Sequence, residues 1–408
     1  MGSISHDTLA TGSPYPSHLQ QFIGKHKSEL PSPSLCLSLP VMKRNARSFH
    51  EKVKKSGVDF RAHVKTNKTE AVSRILLGDV TSKVIISTLR EARGLDSLIT
   101  EGVVKDLLYG VPICPSVVPE LDQLSRKVTT RLLIDHIDHV SILSQYVRCR
   151  ENWGKPWTVF IKLDMGGRRA GLPLDSPELK KLVRAVEEAP NVEIYGFYSY
   201  SAKTANRWTV EMAETVLQNH ITGVLAATEL LSDPTKPLTL SIGSSPTARV
   251  IRSIKEQVAS NITFEIHAGN LGTFIYNDLQ QLSTGTIDSS NLAMSVIAEV
   301  CSVYSERNEA LINAGVLALT REPGELSGIA RVRDKKKKGW IVGRVSQEHG
   351  ILVYDGDDNQ RAQDVWTIGD KVELDVQHTC IVGAMYGWHF ITDEDGTVRD
   401  ILFPWKWW

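Results

Sequence analysis

A histidine and a cysteine stand two residues apart near the end of this chain, in Asp375-Val376-Gln377-His378-Thr379-Cys380-Ile381-Val382. The flanking residues are β-branched or apolar, so the segment reads as a strand. On a strand, residues i and i+2 share a face. An imidazole and a thiolate on one face are two ready ligands for zinc. A closed structural site takes four, so a pair leaves positions open for water or substrate, as metal catalysis needs. The plain alternative is a half-buried cysteine beside a hydrogen-bonded histidine.

Four further segments carry chemistry. Lys65, in Arg61-Ala62-His63-Val64-Lys65-Thr66-Asn67-Lys68-Thr69, follows an apolar run. A lysine at a strand end, partly buried, can offer a free amine for Schiff-base chemistry, or it can simply snorkel to solvent. Asp164-Met165-Gly166-Gly167-Arg168-Arg169-Ala170-Gly171 reads as a loop suited to anionic or ring-nitrogen groups, or as a turn with surface charges. Gly243-Ser244-Ser245-Pro246-Thr247 offers backbone N–H groups and hydroxyls to a phosphate, although an N-cap needs the same residues. Glu265-Ile266-His267-Ala268-Gly269-Asn270, followed by Tyr276-Asn277-Asp278, again joins a strand end to a Gly-Asn loop.

These segments fall into a regular alternation. Apolar runs at 35–40, 58–64, 83–87, 106–110, 131–135, 157–164, 192–198, 238–243 and 261–266 read as strands. Helical spacing separates them at 41–56, 67–77, 89–100, 116–126, 138–150, 176–188 and 207–231. About eight strands alternating with helices predict a parallel (β/α)8 barrel, with a doubly wound sheet as the alternative. Barrel enzymes keep their working groups at the C-terminal ends of the strands, where all four segments lie. Beyond residue 290 the spacing changes to short punctuated strands, with no convincing helix past the 308–314 region. The expected organisation is an arm with a short helix over 1–30, a barrel over 31–290 and an all-β domain over 291–408.

Composition narrows the class. Lys plus Arg and Asp plus Glu are 47 each in 408 residues, so net charge favours neither nucleic acid nor an anionic membrane as partner. Five scattered cysteines argue for a reducing compartment rather than a disulfide framework. No secretory signal and no transmembrane-length apolar run is visible, so a cytoplasmic protein is expected. The run from Asp334 to Lys338 reads as a solvated loop.

From about Pro33 onward, the chain resembles the D-serine dehydratase / D-threonine aldolase family of the alanine-racemase-like barrel class. The resemblance is carried by His63-Val64-Lys65-Thr66 with Lys68-Thr69, Asp164 with Arg169-Ala170-Gly171, Gly196-Phe197-Tyr198, and Gly243-Ser244-Ser245-Pro246. Glu265 to Asn270 with Tyr276 and Asp278, Asn313-Ala314-Gly315 with Ala318-Leu319, Gln347-Glu348-His349-Gly350 and His378-Thr379-Cys380 continue it in order and spacing. The resemblance implies pyridoxal 5'-phosphate held on Lys65 through a Schiff base. Arg169 would lie beside the ring, Tyr198 in contact with it, and Gly243, Ser244 and Ser245 around the phosphate. It also implies zinc on His378 and Cys380 next to the cofactor, a small-molecule D-amino acid substrate and a homodimer.

On that resemblance the reaction is dehydration and deamination of a D-3-hydroxy amino acid to a keto acid and ammonia. Aldolase relatives tend to carry a carboxylate where Cys380 stands, so the cysteine favours elimination. Retro-aldol cleavage to glycine and an aldehyde is the runner-up. A non-catalytic carrier of pyridoxal phosphate is a third reading, and a racemase has no use for the metal pair. The chain departs from the family in places. The usual histidine after Tyr198 is Tyr200, the final tyrosine of that stretch is Ala205, the histidine after Lys65-Thr66 is Asn67, and Val376-Gln377 replaces Pro-Asn before His378. The substrate side chain is therefore open.

Overall fold

The structure, a computed structural model, describes residues 16–148, 154–200, 210–243, 259–269 and 275–408. It consists of two compact units. Strand β1 (Ser34–Ser38) comes first in the chain. Then follow β2 (Asp59–His63), β3 (Lys83–Ile86), β4 (Asp106–Pro112), β5 (Thr129–Ile134), β6 (Trp157–Leu163), β7 (Val192–Tyr200), β8 (Leu238–Gly243) and β9 (Ile262–Ala268). Strands β2 to β9 are parallel and close into a barrel, β2 pairing with both β3 and β9. The expected (β/α)8 barrel is what the chain forms.

The intervening helices cover the barrel for a reason visible in their sequences. Pro177–Glu188 starts on Ser176, whose Oγ accepts from Leu179 N at 3.2 Å, with proline at the first helical position. It then buries Leu179, Leu182, Val183 and Val186, the i, i+3, i+4, i+7 stripe. Each such side chain contributes roughly 1.5–3 kcal/mol by leaving water. Strand residues alternate between the helix layer and the barrel interior. On β2, Phe60 packs edge-on to Phe49 of the helix Leu39–Ser56, which turns Arg61 inward. Inside, Arg61 pairs with Glu265 (2.7 Å) and Asp106 (2.6 Å), and Arg131 joins Asp106 at 2.8 Å. Burial opposes the Arg61 charge, but Glu265 and Asp106 more than offset it and hold its pKa above the ordinary value.

The second unit contains β10 (Met294–Tyr304), β11 (Glu309–Ile312), β12 (Ala330–Val332), β13 (Trp340–Val345), β14 (Gly350–Tyr354), β15 (Lys371–Val376), β16 (His389–Thr392) and β17 (Val398–Leu402). Strand β10 pairs with both β11 and β15, which closes β10-β11-β14-β13-β12-β15 into an antiparallel ring. Strand β1 extends this sheet, antiparallel to β10 and parallel to β16. Its apolar run fits a buried strand in either unit, but its hydrogen-bonding partners are here. The segment expected as barrel over 31–290 therefore gives up its first strand.

The arm expected over 1–30 falls partly on residues 1–15, outside the described residues. Residues 16–30 include the short helix Ser17–Gln20 and are packed: Leu19 and Leu30 are buried in one core with Cys36, Phe390 and Ile401. At the other end of the chain, Trp405–Trp408 belongs with the barrel. Trp405 N donates to Lys68 O at 2.6 Å, and its indole lies where a Cβ on Gly94 would come within 2.1 Å. No helix among the described residues is long and apolar enough to cross a membrane.

Candidate active site and metal ligands

Lys65 is half-buried, two residues past the end of β2, at the C-terminal mouth of the barrel. Its Nζ lies 5.9 Å from the centre of the Tyr200 ring. Arg169 approaches the same ring, its guanidinium carbon 4.2 Å from the centre, and Lys162 Nζ lies 5.9 Å away. Three cations thus surround one phenol ring, each positioned for cation–π attraction.

The loop carrying Arg169 is stapled by Asp164. Its carboxylate accepts from Gly166 N at 3.0 Å and Arg168 N at 3.0 Å. Arg168 is left-handed at φ 47, which the staple holds. The loop returns to β6 through Leu172 N to Lys162 O at 3.0 Å and Asp164 N to Leu172 O at 2.9 Å. Gly171 sits in that return at φ 103, where a Cβ would meet the Leu163 carbonyl carbon at 2.6 Å. Asp164 therefore shapes the loop, while Arg169 is exposed at the mouth.

Below the mouth, Lys162, Tyr198, Ser241 and Glu265 are successive register neighbours across β6 to β9. Lys162 is buried, its Nζ 4.8 Å from the Tyr198 ring centre. Burial, then the Arg169 charge, lowers its pKa to about 8. Tyr198 stacks on His267 with ring centres 4.0 Å apart at 11°. Ser241 Oγ lies 2.8 Å from Glu265 Oε1 and 3.0 Å from His267 Nδ1. Burial and the neighbouring cations keep His267 neutral, its pKa well below the ordinary value. Gly243 ends β8 against β9; a Cβ there would stand 2.2 Å from the His267 carbonyl oxygen.

The second unit holds the His378 and Cys380 pair, with a correction. The strand expected through both residues stops earlier: β15 ends at Val376, His378 is the N-cap, and Thr379–Met385 is a helix. The helix starts because Asp278 Oδ2 accepts from Thr379 N at 3.1 Å and from Thr379 Oγ1 at 3.3 Å. Gln377 anchors the entry, its Nε2 donating to Leu326 O and Gly328 O at 2.9 and 2.8 Å. The pair still converges, with the Cys380 thiol hydrogen-bonded to His378. His378 Nδ1 is buried and 2.6 Å from Glu322 Oε2, yet no hydrogen bond forms because the two are out of line. Burial alone would lower the His378 pKa, but the Cys380 hydrogen bond and the Cys380, Asp278 and Glu322 charges push it up to about 9. A cysteine sulfur and an imidazole nitrogen are donor types that suit a zinc ion. Among the described residues no group of three His, Cys, Asp or Glu side chains stands at metal-binding geometry.

Of the residues expected around the cofactor, Lys65 and Arg169 meet over Tyr200, and Tyr198 and Gly243 both border His267. Ser244 and Ser245 lie outside the described residues. Lys162, Tyr200 and His267 were not singled out as site residues. The one available signal was an ionisable residue in the middle of an otherwise apolar barrel strand, as in Ile161-Lys162-Leu163 and Ile266-His267-Ala268.

Comparison with known proteins places this architecture. The family described as alanine racemase, N-terminal domain, matches residues 37–258, and a serine dehydratase domain family matches 293–392. D-serine dehydratase of Schizosaccharomyces pombe is 34% identical over 403 residues, 95% of each chain. D-serine dehydratase of Saccharomyces cerevisiae is 32% identical, covering 96% of this chain and 99% of that protein. Among solved structures, D-threo-3-hydroxyaspartate dehydratase from Delftia sp. HT23 matches 94% of this chain and 100% of its own with a TM-score of 0.80, a likeness of fold at 24% identity. With both family matches in chain order and relatives alike along nearly their whole length, the chain belongs to the D-serine dehydratase family of lyases, on an alanine-racemase-like barrel.

Proposed function

We propose that this chain is a pyridoxal phosphate- and zinc-dependent lyase that removes water and ammonia from a D-3-hydroxy amino acid such as D-serine. The observation that carries the reading is Lys65 at the barrel mouth, facing Tyr200 together with Arg169 and Lys162. A half-buried amine among cations suits an anionic cofactor and a substrate carboxylate. Gly243 supports it, since it ends β8 beside His267, where a Cβ would meet the His267 carbonyl oxygen at 2.2 Å.

When bound, pyridoxal phosphate supplies the electron sink that makes the α-hydrogen acidic. Lys65 would hold the cofactor, and its amine, when free, would take the substrate's α-proton as general base. Arg169 and Lys162 keep positive charge at the mouth, and Asp164 holds Arg169 there through its loop. His378 and Cys380 would hold zinc, which would supply Lewis acidity suited to a hydroxyl leaving group. The cysteine thiolate, in place of a carboxylate, favours elimination over aldol cleavage. Water then converts the aminoacrylate product to a keto acid and ammonia. The enzyme acts as a homodimer in the cytoplasm.

Product analysis tests the reaction. Purified enzyme with D-serine or D-threo-3-hydroxyaspartate should release ammonia and keto acid in equal amounts. Glycine and an aldehyde would replace this reading with aldol cleavage, and absence of turnover with every D-3-hydroxy amino acid would leave a carrier.

A further inference from the structure

His267 takes no part in the reaction above, yet its position is unusual. It is 3% exposed, and among the described residues its Nε2 has no hydrogen-bond partner. A buried polar atom left unmade costs about 1–3 kcal/mol. Its neighbours determine which kind of partner it lacks. Glu265 is ion-paired to Arg61 at 2.7 Å and to Lys83 at 3.3 Å, so its carboxylate only accepts. Ser241 has one proton, and it goes to Glu265 Oε1. The contact between Ser241 Oγ and His267 Nδ1 must then be made by a proton on Nδ1. With the imidazole neutral, Nε2 carries a lone pair and no proton. Arg61, Glu265 and Ser241 thus fix one tautomer and leave a buried acceptor.

That acceptor lies among the residues proposed to hold the cofactor. Tyr198 stacks on the imidazole, Tyr200 lies 6.4 Å from it at 17°, and Gly243 packs against its backbone. The phosphate oxygens and the ring hydroxylate of pyridoxal phosphate bring acceptors. The ring nitrogen is the group that can bring a proton. We propose that His267 Nε2 accepts a hydrogen bond from the protonated ring nitrogen of pyridoxal phosphate, the proton being held there by the Arg61–Glu265–Ser241 chain. A protonated ring withdraws electrons more strongly, which is what elimination asks of it. The inference rests on the proposal that this mouth holds the cofactor.

The test uses holoenzyme loaded with pyridoxal phosphate carrying nitrogen-15 in the ring. The nitrogen resonance should show the large upfield displacement of a protonated pyridine nitrogen. It should move to the unprotonated position in His267→Leu, with cofactor binding weakened about tenfold. Ser241→Ala, which frees the imidazole to turn its proton outward, should move the resonance the same way while preserving more of the binding. An unprotonated resonance in the wild-type enzyme, which needs no variant to fold, overturns the inference. So does a resonance that stays put in both variants. Failure of the wild-type chain to take up pyridoxal phosphate at all overturns the proposed function as well, so the two failures are distinct.

Discussion

Glu322 Oε2 lies 2.6 Å from His378 Nδ1, but the two atoms are not aligned for a hydrogen bond. The close approach leaves His378 Nδ1 without a hydrogen bond beside a carboxylate, and both are atom types that zinc takes as ligands. Purified protein should hold about one zinc per chain, and His378→Ala or Cys380→Ala should lose it. Glu322→Gln should weaken zinc binding by roughly tenfold or more, as loss of a supporting carboxylate does. Competition with a chromophoric chelator measures this; equal affinity in Glu322→Gln would remove Glu322 from the site.

How much of this was legible in the sequence depends on the range of the interaction. Barrel strands and covering helices follow local periodicity, and each appears within a few residues of its expected place. Strand β1 did not, because Leu35-Cys36-Leu37 suits any buried strand and only its pairing with β10 and β16 decides between them. The helix Thr379–Met385 was missed for the same reason. Thr-Cys-Ile-Val favours strand, but the carboxylate that caps the helix belongs to Asp278, 101 residues away. Lys65 and the His378–Cys380 pair were singled out by residue type and spacing, and Arg169 by the resemblance. His267 was quoted within a strand-end segment and Tyr200 as a departure from the family, but neither was given a site role because strand alternation does not say which face points into a barrel.

Gly243→Ala should destabilise the protein by about 1–3 kcal/mol, as overpacking against backbone does. Its Cβ would meet the His267 carbonyl at 2.2 Å and its amide nitrogen at 3.1 Å, atoms that cannot rotate away. Urea unfolding measures the loss. Unchanged stability would mean that β8 and β9 separate freely at this point.

Lys162 gives the cofactor-free protein a pH signature. Its amine titrates near 8 when folded, against 10.5 ordinarily, so below pH 8 both states are charged and the folded one bears the full cost of burial. That cost is of order 3 kcal/mol, and it fades as pH rises from 8 to 10.5 and the unfolded amine loses its proton. Lys162→Met should therefore be more stable than wild type at pH 7.5, with the advantage disappearing by about pH 10.5. A difference independent of pH would show that Lys162 is not buried as a free amine.

Trp405 clasps the turn that follows Lys65 through Lys68 O and packs against Gly94. Removing residues 405–408 should cost about 2–4 kcal/mol through the lost indole burial and hydrogen bond. It should also raise hydrogen exchange in residues 66–69, read by mass spectrometry. Unaltered exchange there would make the tail a bystander.

The most direct measurement follows D-serine conversion to pyruvate and ammonia by holoenzyme before zinc removal, after it, and after zinc is restored. In parallel, borohydride reduction and peptide mapping locate the cofactor. Activity should vanish with zinc and return with it, and the cofactor mass should appear on Lys65. Full pyruvate formation by zinc-free enzyme, or a cofactor fixed on any other lysine, would contradict the account.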